Sequence, residues 1–280
     1  MSVRFWCAAL LALATAAAGY LEASDRHERG HHVPVRVRVL TYNVHHGEGM
    51  DGRIDLARQA DVLNREAPEL VALQEVDRST RRSGGVDQLA EFAQLTGLTP
   101  VFGRTIEFQG GGYGVGVLSR LPLQGIRQRL LPGSPDREPR TALTVDVDLP
   151  GGGPRVQFTA THLDQGREAA DKLAQASYLA AALSHKNDQL GILAGDMNTR
   201  PETEPMQILA RRWTDTFADP PPDSNGRPRR RIDYVMVRPA QAWRVIESRY
   251  VDAPLASDHQ PVLVVLEWTG ATDRAVRAAP

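Results

Sequence analysis

Apolar and polar positions alternate from Val35 onward. Val35, Val37, Val39 and Thr41 take one side while Arg36, Arg38 and Leu40 take the other, the period of a strand leading to Asn43. A glycine-containing turn follows, and Leu56, Ala60 and Leu63 then recur at helical spacing until Pro68 stops the helix. Leu70, Val71, Ala72 and Leu73 form a second apolar strand that ends at Gln74 and Glu75. The same pattern predicts strands over 114–119, 141–147, 156–162, 191–194, 232–237 and 261–268. Between them Ala169, Leu173, Ala176, Ala180 and Leu183 fall on one face of a helix. Pro220, Pro221 and Pro222 with Asn225-Gly226 make a loop ahead of Arg229, Arg230 and Arg231. Strands outnumber the helices interspersed among them, which predicts an α/β class built of layered sheets.

Polar groups close these apolar runs repeatedly. Asn43 ends the first strand, Glu75 the second, and His162 the run that starts at Val156. Asp196 and Asn198 follow Gly191-Ile192-Leu193-Ala194-Gly195, Asp233 sits within Arg231-Ile232-Asp233-Tyr234-Val235, and Ser257-Asp258-His259 opens the last strand. Each has a plain alternative on its own: a turn at Asp196, an Asx turn at Asp258, a simple ion pair at Asp233 or Glu75, a satisfied core histidine at His162. A carboxylate at a buried strand end is nevertheless costly unless it is paired or holds a cation. One site that collects them all explains the set with a single cause. Such a site is rich in oxygen, and only His162 and His259 lie among the strand ends, which suits magnesium or manganese better than zinc. His45 and His46, beside Gly47, read as loop residues rather than ligands.

Composition narrows the class. A chain of 280 residues, 41% hydrophobic and 24% charged, has room for one large soluble domain. Its net charge of −1 provides no global attraction to nucleic acid or to an acidic membrane. Arg4 precedes an apolar run from Phe5 to Ala18 that ends in small residues, the layout of a cleavable secretory signal over 1–19. That run is short for a bilayer span of about 20 residues, so the expected destination is the periplasm or the exterior. The single cysteine, Cys7, lies inside the signal, leaving the mature chain without a disulfide. Residues 20–34, with His27, His31 and His32, read as a solvated linker, 35–269 as one domain and 270–280 as a loose tail. Nothing calls for an obligate protein partner, and a monomer is expected.

The order of the motifs is also recognisable. Tyr42-Asn43-Val44, Leu73-Gln74-Glu75-Val76-Asp77, Leu118-Ser119-Arg120-Leu121-Pro122, Thr161-His162-Leu163, Gly195-Asp196-Met197-Asn198, Arg231-Ile232-Asp233-Tyr234 and Ser257-Asp258-His259-Gln260-Pro261 stand in sequence. This resembles the endonuclease/exonuclease/phosphatase superfamily over roughly residues 36 to 268. The resemblance implies a four-layer α/β/β/α sandwich with two packed mixed β-sheets and the site where the sheet ends meet. It also implies roles. Glu75 looks like the principal metal carboxylate, with Asn43 beside it and Asp258 as a further metal-linked acid. His259 looks like the catalytic histidine oriented by Asp233. Asp196 and Asn198 resemble the pair that positions water and phosphate, and His162 a second histidine facing the phosphate.

Two positions depart from the pattern. His45 stands where abasic-site endonucleases are acidic, and Val115 follows Tyr113-Gly114 where many members place asparagine. The stretch Tyr42-Asn43-Val44-His45-His46-Gly47 with Asp51-Gly52 is similar to exported bacterial hydrolases related to proteins that remodel glycosylphosphatidylinositol lipids. The expected activity is metal-dependent hydrolysis of phosphate esters by an activated water, with nucleic acid as the default substrate and a phospholipid headgroup as the alternative. Arg81, Arg82, Arg140, Tyr113 and Arg229, Arg230 and Arg231 are the candidate substrate contacts. A non-catalytic binding module on the same fold would be marked by loss of Glu75, Asp233 or His259, and all three are present.

Overall fold

The computed structural model describes residues 34–182, 189–217 and 231–270. The expected signal at 1–19, the linker as far as residue 33, the tail from 271, the proline loop at 220–226 and Arg229 and Arg230 lie outside these described residues.

The first sheet runs in the order β11-β12-β1-β2-β4-β3, from β1 (Arg36–Asn43), β2 (Leu70–Arg78), β3 (Thr99–Phe108), β4 (Gly111–Ser119), β11 (Trp243–Tyr250) and β12 (Val262–Trp268). The second runs β5-β6-β7-β8-β10-β9, from β5 (Leu123–Leu130), β6 (Thr141–Asp148), β7 (Arg155–His162), β8 (Gly191–Asp196), β9 (Thr214–Asp215) and β10 (Asp233–Arg238). Both sheets are mixed: β1 and β2 are parallel, as are β7 and β8, while their other neighbours pair antiparallel. The helices are α1 (Leu56–Glu66), α2 (Gln88–Thr96), α3 (Ala170–Ala182) and α4 (Glu204–Ala210). Asp55 caps α1 by accepting from Arg58 N, and left-handed Ala67 ends it just before Pro68. Asp87 caps α2 through Ala90 N, and left-handed Gly97 closes it.

Strand alternation sorts the core into three parts. Val37 and Val39 of β1, Leu70 and Ala72 of β2, Phe158 and Ala160 of β7, Ile192 and Ala194 of β8, and Val235 and Val237 of β10 meet between the sheets. The opposite faces of β1 and β2, at Leu40, Tyr42, Val71 and Leu73, pack against Ala60 and Leu63 of α1 and Phe92 of α2. Leu193, Tyr234 and Met236 of the second sheet pack against Leu179 of α3 and Leu209 of α4. The result is the α/β/β/α sandwich expected from the sequence. The strands the pattern did not foresee, β3, β5, β9 and β11, stand at or beside the sheet edges, with much of their surface exposed. Helices α2 and α4 were likewise unforeseen.

Candidate active site

The same alternation builds the site. Asn43 shares the inward face of β1 with Val37 and Val39, His162 that of β7 with Phe158 and Ala160, and Asp196 that of β8 with Ile192 and Ala194. Asp233 does the same from the start of β10. That strand runs antiparallel to β8, so its first residue pairs with Asp196 at the last, while His162 pairs with Asp196 from the other side. The apolar interface between the sheets therefore turns polar at one end.

Glu75 arrives by a different device. Leu70 and Ala72 face the second sheet and Val71 and Leu73 the helices, but Val76 also faces the helices. The pairing of β2 with β4 shifts register between Leu73 and Val76, and Glu75 takes the left-handed φ of 59° within that bulge. A strand expected to stop at Glu75 thus continues to Arg78 around it.

Asn43 joins the two sheets. Its Nδ2 donates to Glu75 Oε1 at 3.0 Å and to Asp196 Oδ2 at 3.2 Å, and its Oδ1 accepts from His45 N. The Ser257 hydroxyl, which the sequence reading left without a role of its own, donates to Asn43 O at 2.8 Å and accepts from His259 N at 3.3 Å. These bonds pin the turn that carries His259 against the end of β1.

Asp196 is the hub. Its Oδ1 accepts from Asn198 N at 2.8 Å, and its Oδ2 lies 3.6 Å from His162 Nε2 and 3.8 Å from His259 Nε2. Burial, then the charge of Asp233, raises its carboxyl above the ordinary range. His259 Nδ1 lies 2.9 Å from Asp233 Oδ2, which fixes the ring with a proton on Nδ1. Burial alone would lower this imidazole. The hydrogen bond and charge of Asp233, with the charges of Asp196 and Asp258, outweigh burial and raise it, so the ring is cationic at neutral pH.

His162 is held in the opposite state. Burial, followed by the charges of Arg140 and His259, pushes it well below its ordinary value. Arg140 NH1 stands 3.1 Å from Nδ1 and can only donate, so Nδ1 accepts and the ring proton sits on Nε2. Asn198 Nδ2 donates to Leu163 O and lies 2.9 Å from that same Nε2. The amide accepts from the ring only when turned over to present Oδ1. Glu138, missed in the sequence because no motif surrounds it, sits 2.9 Å from Arg140 and completes a carboxylate–arginine–imidazole chain.

Beyond Glu75, a 3-10 turn over His45–Gly47 brings two rings to the site. Ligand atoms of His45, His46 and Glu75 lie within 4.8 Å of one another, as do those of Asp196, Asp233 and His259. Asp258 is an exposed carboxylate that belongs to neither group; its Oδ1 lies 3.9 Å from His45 Nδ1, at the edge of the first. Tyr113 is nearly buried, its hydroxyl raised by burial and by the charges of Glu75 and Glu138. Arg81 is exposed. Its neighbour Arg82 turns inward instead, bonded through two nitrogens to Asp77 and stacked on Phe108 and Tyr113. Arg231 is spent on Asp215 and on the ring of Tyr234.

No curated protein sequence matches the chain. Among solved structures it is similar to an endonuclease/exonuclease/phosphatase from Beutenbergia cavernae, at 29% identity over 84% of this chain and 72% of that one, with a TM-score of 0.67. It shares its fold with a mannosyl-6-phosphatase of Bacteroides thetaiotaomicron (17% identity, 82% and 99% covered, TM-score 0.67). The human Nocturnin catalytic domain with bound sulfate is alike in fold as well (16% identity, 85% and 96% covered, TM-score 0.65). A sequence profile of the Endonuclease/Exonuclease/phosphatase family matches residues 40–259. With that match spanning most of the chain, this protein belongs to the endonuclease/exonuclease/phosphatase family of phosphoester hydrolases.

Proposed function

We propose that the chain is a divalent-cation-dependent phosphodiesterase in which Asp196 activates water and a cationic His259 steadies the phosphorane. The observation that carries this reading is the convergence on Asp196 Oδ2 of two imidazole Nε2 atoms, at 3.6 and 3.8 Å. Those gaps are too long for direct hydrogen bonds and suit an oxygen seated between the groups.

The steps follow from the protonation states. Asp196, raised by burial, takes a proton from water as the water oxygen bonds to phosphorus and the bond to the leaving oxygen breaks, that oxygen taking a proton from solvent as it departs. His259, its other nitrogen tied to Asp233, and His162, its proton set on Nε2 by Arg140, donate hydrogen bonds to the phosphoryl oxygens as negative charge builds there. Asn198 and Asn43 hold Asp196 in place. Glu75, with Asn43 bonded to it and Asp258 at the rim beside His45, would hold the divalent cation, which supplies Lewis-acid neutralisation of phosphoryl charge. The donor chemistry fits a divalent cation: the Glu75 carboxylate and the Asn43 amide meet here at 3.0 Å. No covalent enzyme intermediate is needed.

Nucleic acid is the first substrate class to test. A compact phosphodiester such as a lipid headgroup is the second reading. It is favoured because the arginines nearest the site, Arg82 and Arg140, are each held by an acid or a ring. Export through residues 1–19 belongs to the same proposal and rests on the layout of that segment; among the described residues no helix is long and apolar enough to cross a membrane. The test offers plasmid DNA, RNA, sphingomyelin, phosphatidylinositol and bis-p-nitrophenyl phosphate to the protein with and without magnesium, manganese or zinc, beside His259→Ala. Cleavage of any of these that needs the cation and vanishes in the variant upholds the reading. Silence on every substrate with magnesium, manganese and zinc alike sinks it.

A further inference from the structure

The turn after β1 brings nitrogen to a place where a magnesium site needs oxygen. His45 and His46 hold left-handed φ values of 46° and 45°, and Glu75 holds 59°. Bulky residues rarely adopt this conformation, and three of them meet here with ligand atoms within 4.8 Å of one another. Local backbone strain of this kind persists when the surrounding structure enforces it, and here its effect is to gather two imidazoles around one carboxylate.

His46 also has the wiring of a ligand. Its Nε2 lies 3.3 Å from Glu48 Oε2, which accepts a hydrogen bond from the ring N–H there and so leaves the lone pair on Nδ1. That Nδ1 is buried and has no hydrogen-bond partner. An imidazole with one nitrogen on a carboxylate and the other bare is the arrangement that metal-ligating histidines adopt. Beneath it, Gln88 donates to His46 O at 2.6 Å and steadies the turn. On the other side His45 Nδ1, 3.9 Å from Asp258 Oδ1, brings a second carboxylate to the rim.

Magnesium demands oxygen ligands in near-ideal octahedral geometry and gives up water reluctantly, whereas imidazole suits zinc, iron and nickel. We infer that His45, His46 and Glu75, with Asp258 at the rim, form a mixed nitrogen–oxygen centre that takes a borderline first-row ion of the zinc class in preference to magnesium. The inference rests on the reading of Glu75 as the anchor of the cation.

The test is calorimetric titration of the metal-free full chain with Zn²⁺ and with Mg²⁺, on the wild type, on His45→Asn/His46→Asn and on Glu48→Gln. Asparagine tolerates the left-handed backbone, so the double variant keeps the turn. The histidines at 27, 31 and 32 are common to all three proteins, so differences report on the turn alone. The expected result is a loss of Zn²⁺ affinity of about tenfold or more in the double variant and a smaller loss in Glu48→Gln, with Mg²⁺ affinity changed by less than about threefold. In the Co²⁺-loaded wild type, hyperfine-shifted imidazole N–H resonances are expected that disappear in the double variant. Unchanged Zn²⁺ affinity in both variants, or Co²⁺ spectra that do not differ, overturns the inference. Hydrolysis of bis-p-nitrophenyl phosphate in the same preparations keeps the two readings apart. Histidine-dependent metal binding in an inert protein upholds the centre and sinks the phosphodiesterase. Magnesium-supported hydrolysis indifferent to both histidines does the reverse.

Discussion

Asn43 carries a neutral donor into the space between two acids, and its chemistry cannot be exchanged for aspartate. Asn43→Asp removes both hydrogen bonds and sets a third carboxylate beside Glu75 and Asp196. A loss of about 1–3 kcal/mol is expected in denaturant unfolding without metal, partly restored by a saturating divalent cation. The pair of histidines makes opposite demands. His259→Ala is expected to lower kcat by about 10²–10⁴ with little change in KM, measured on bis-p-nitrophenyl phosphate. The pKa of His259 is raised in the folded chain, so its contribution to stability is full below the ordinary value of 6.5 and is lost as pH climbs through the folded value. Asp233→Asn brings the folded value down, and the alkaline decline of the unfolding midpoint is expected to move to lower pH. A midpoint profile identical to wild type would remove Asp233 as the cause. Arg140→Gln tests the other ring. Without a neighbouring cation the pKa of His162 rises, and Gln can donate or accept, so both ring tautomers become available. A kcat loss on the order of tenfold is expected, together with a ¹⁵N shift showing proton on both ring nitrogens.

Strands announce themselves when both faces are buried, and here that rule decides what the chain reveals of its own fold. The central strands β2, β8, β10 and β12 carry continuous apolar runs while β1 and β7 alternate, and the polar residues at the ends of these strands are the site. Asn43, His162, Asp196 and Asp233 were therefore visible together with their strands. β5, at an edge, reads Leu-Gln-Gly-Ile-Arg-Gln-Arg-Leu with most positions exposed, and β11 is likewise open along its length, so neither carries an apolar run to see. Residues on loops and bulges were harder. Glu75 was seen, but the bulge that aims it was not. His45 and His46 read as loop residues because the conformation that gathers them has no periodic signature. Glu138 acts through a contact with Arg140 that no pattern encodes, and Ser257, though it opens the Ser257-Asp258-His259 motif, acts through a bond to Asn43 O that only the fold brings about. A glycine shows how tightly the site end of the second sheet is set. A Cβ added at Gly195 would stand 2.0 Å from Thr161 O on the neighbouring strand. Gly195→Ala must push β8 from β7 directly beside Asp196, and a destabilisation of about 2–4 kcal/mol with loss of activity is expected from thermal unfolding and turnover. Activity retained at the wild-type melting temperature would mean the two strands are free to separate there.

At the scale of the whole molecule, the charge near the site end is balanced locally among the described residues. The net charge is −1, and the arginines around the site end are paired: Arg82 with Asp77, Arg140 with Glu138, Arg137 with Asp164, Arg231 with Asp215. Such pairs add little to stability when exposed, but they cancel the field that a polyanion would follow. A protein that neutralises six to ten phosphates loses about 10³–10⁵ in affinity between 50 and 200 mM salt. With the arginines nearest the site engaged and Arg81 an exposed exception, this one is expected to engage only the scissile phosphate and a neighbour or two. Its KM for a dinucleotide or a lipid headgroup should then rise by less than about tenfold across that range, with kcat unchanged. Besides the exposed Arg81, the arginines at 227, 229 and 230 are candidates for a wider footprint, since they follow the proline loop and precede Arg231. Replacing all three with glutamine separates the cases. If the salt slope on plasmid DNA is steep and flattens in the triple variant, the chain is a nuclease whose groove is completed by that segment. If the slope is shallow in both, specificity resides in the polar end of the two sheets around His162, Asp196 and His259, and the substrate is a small phosphodiester.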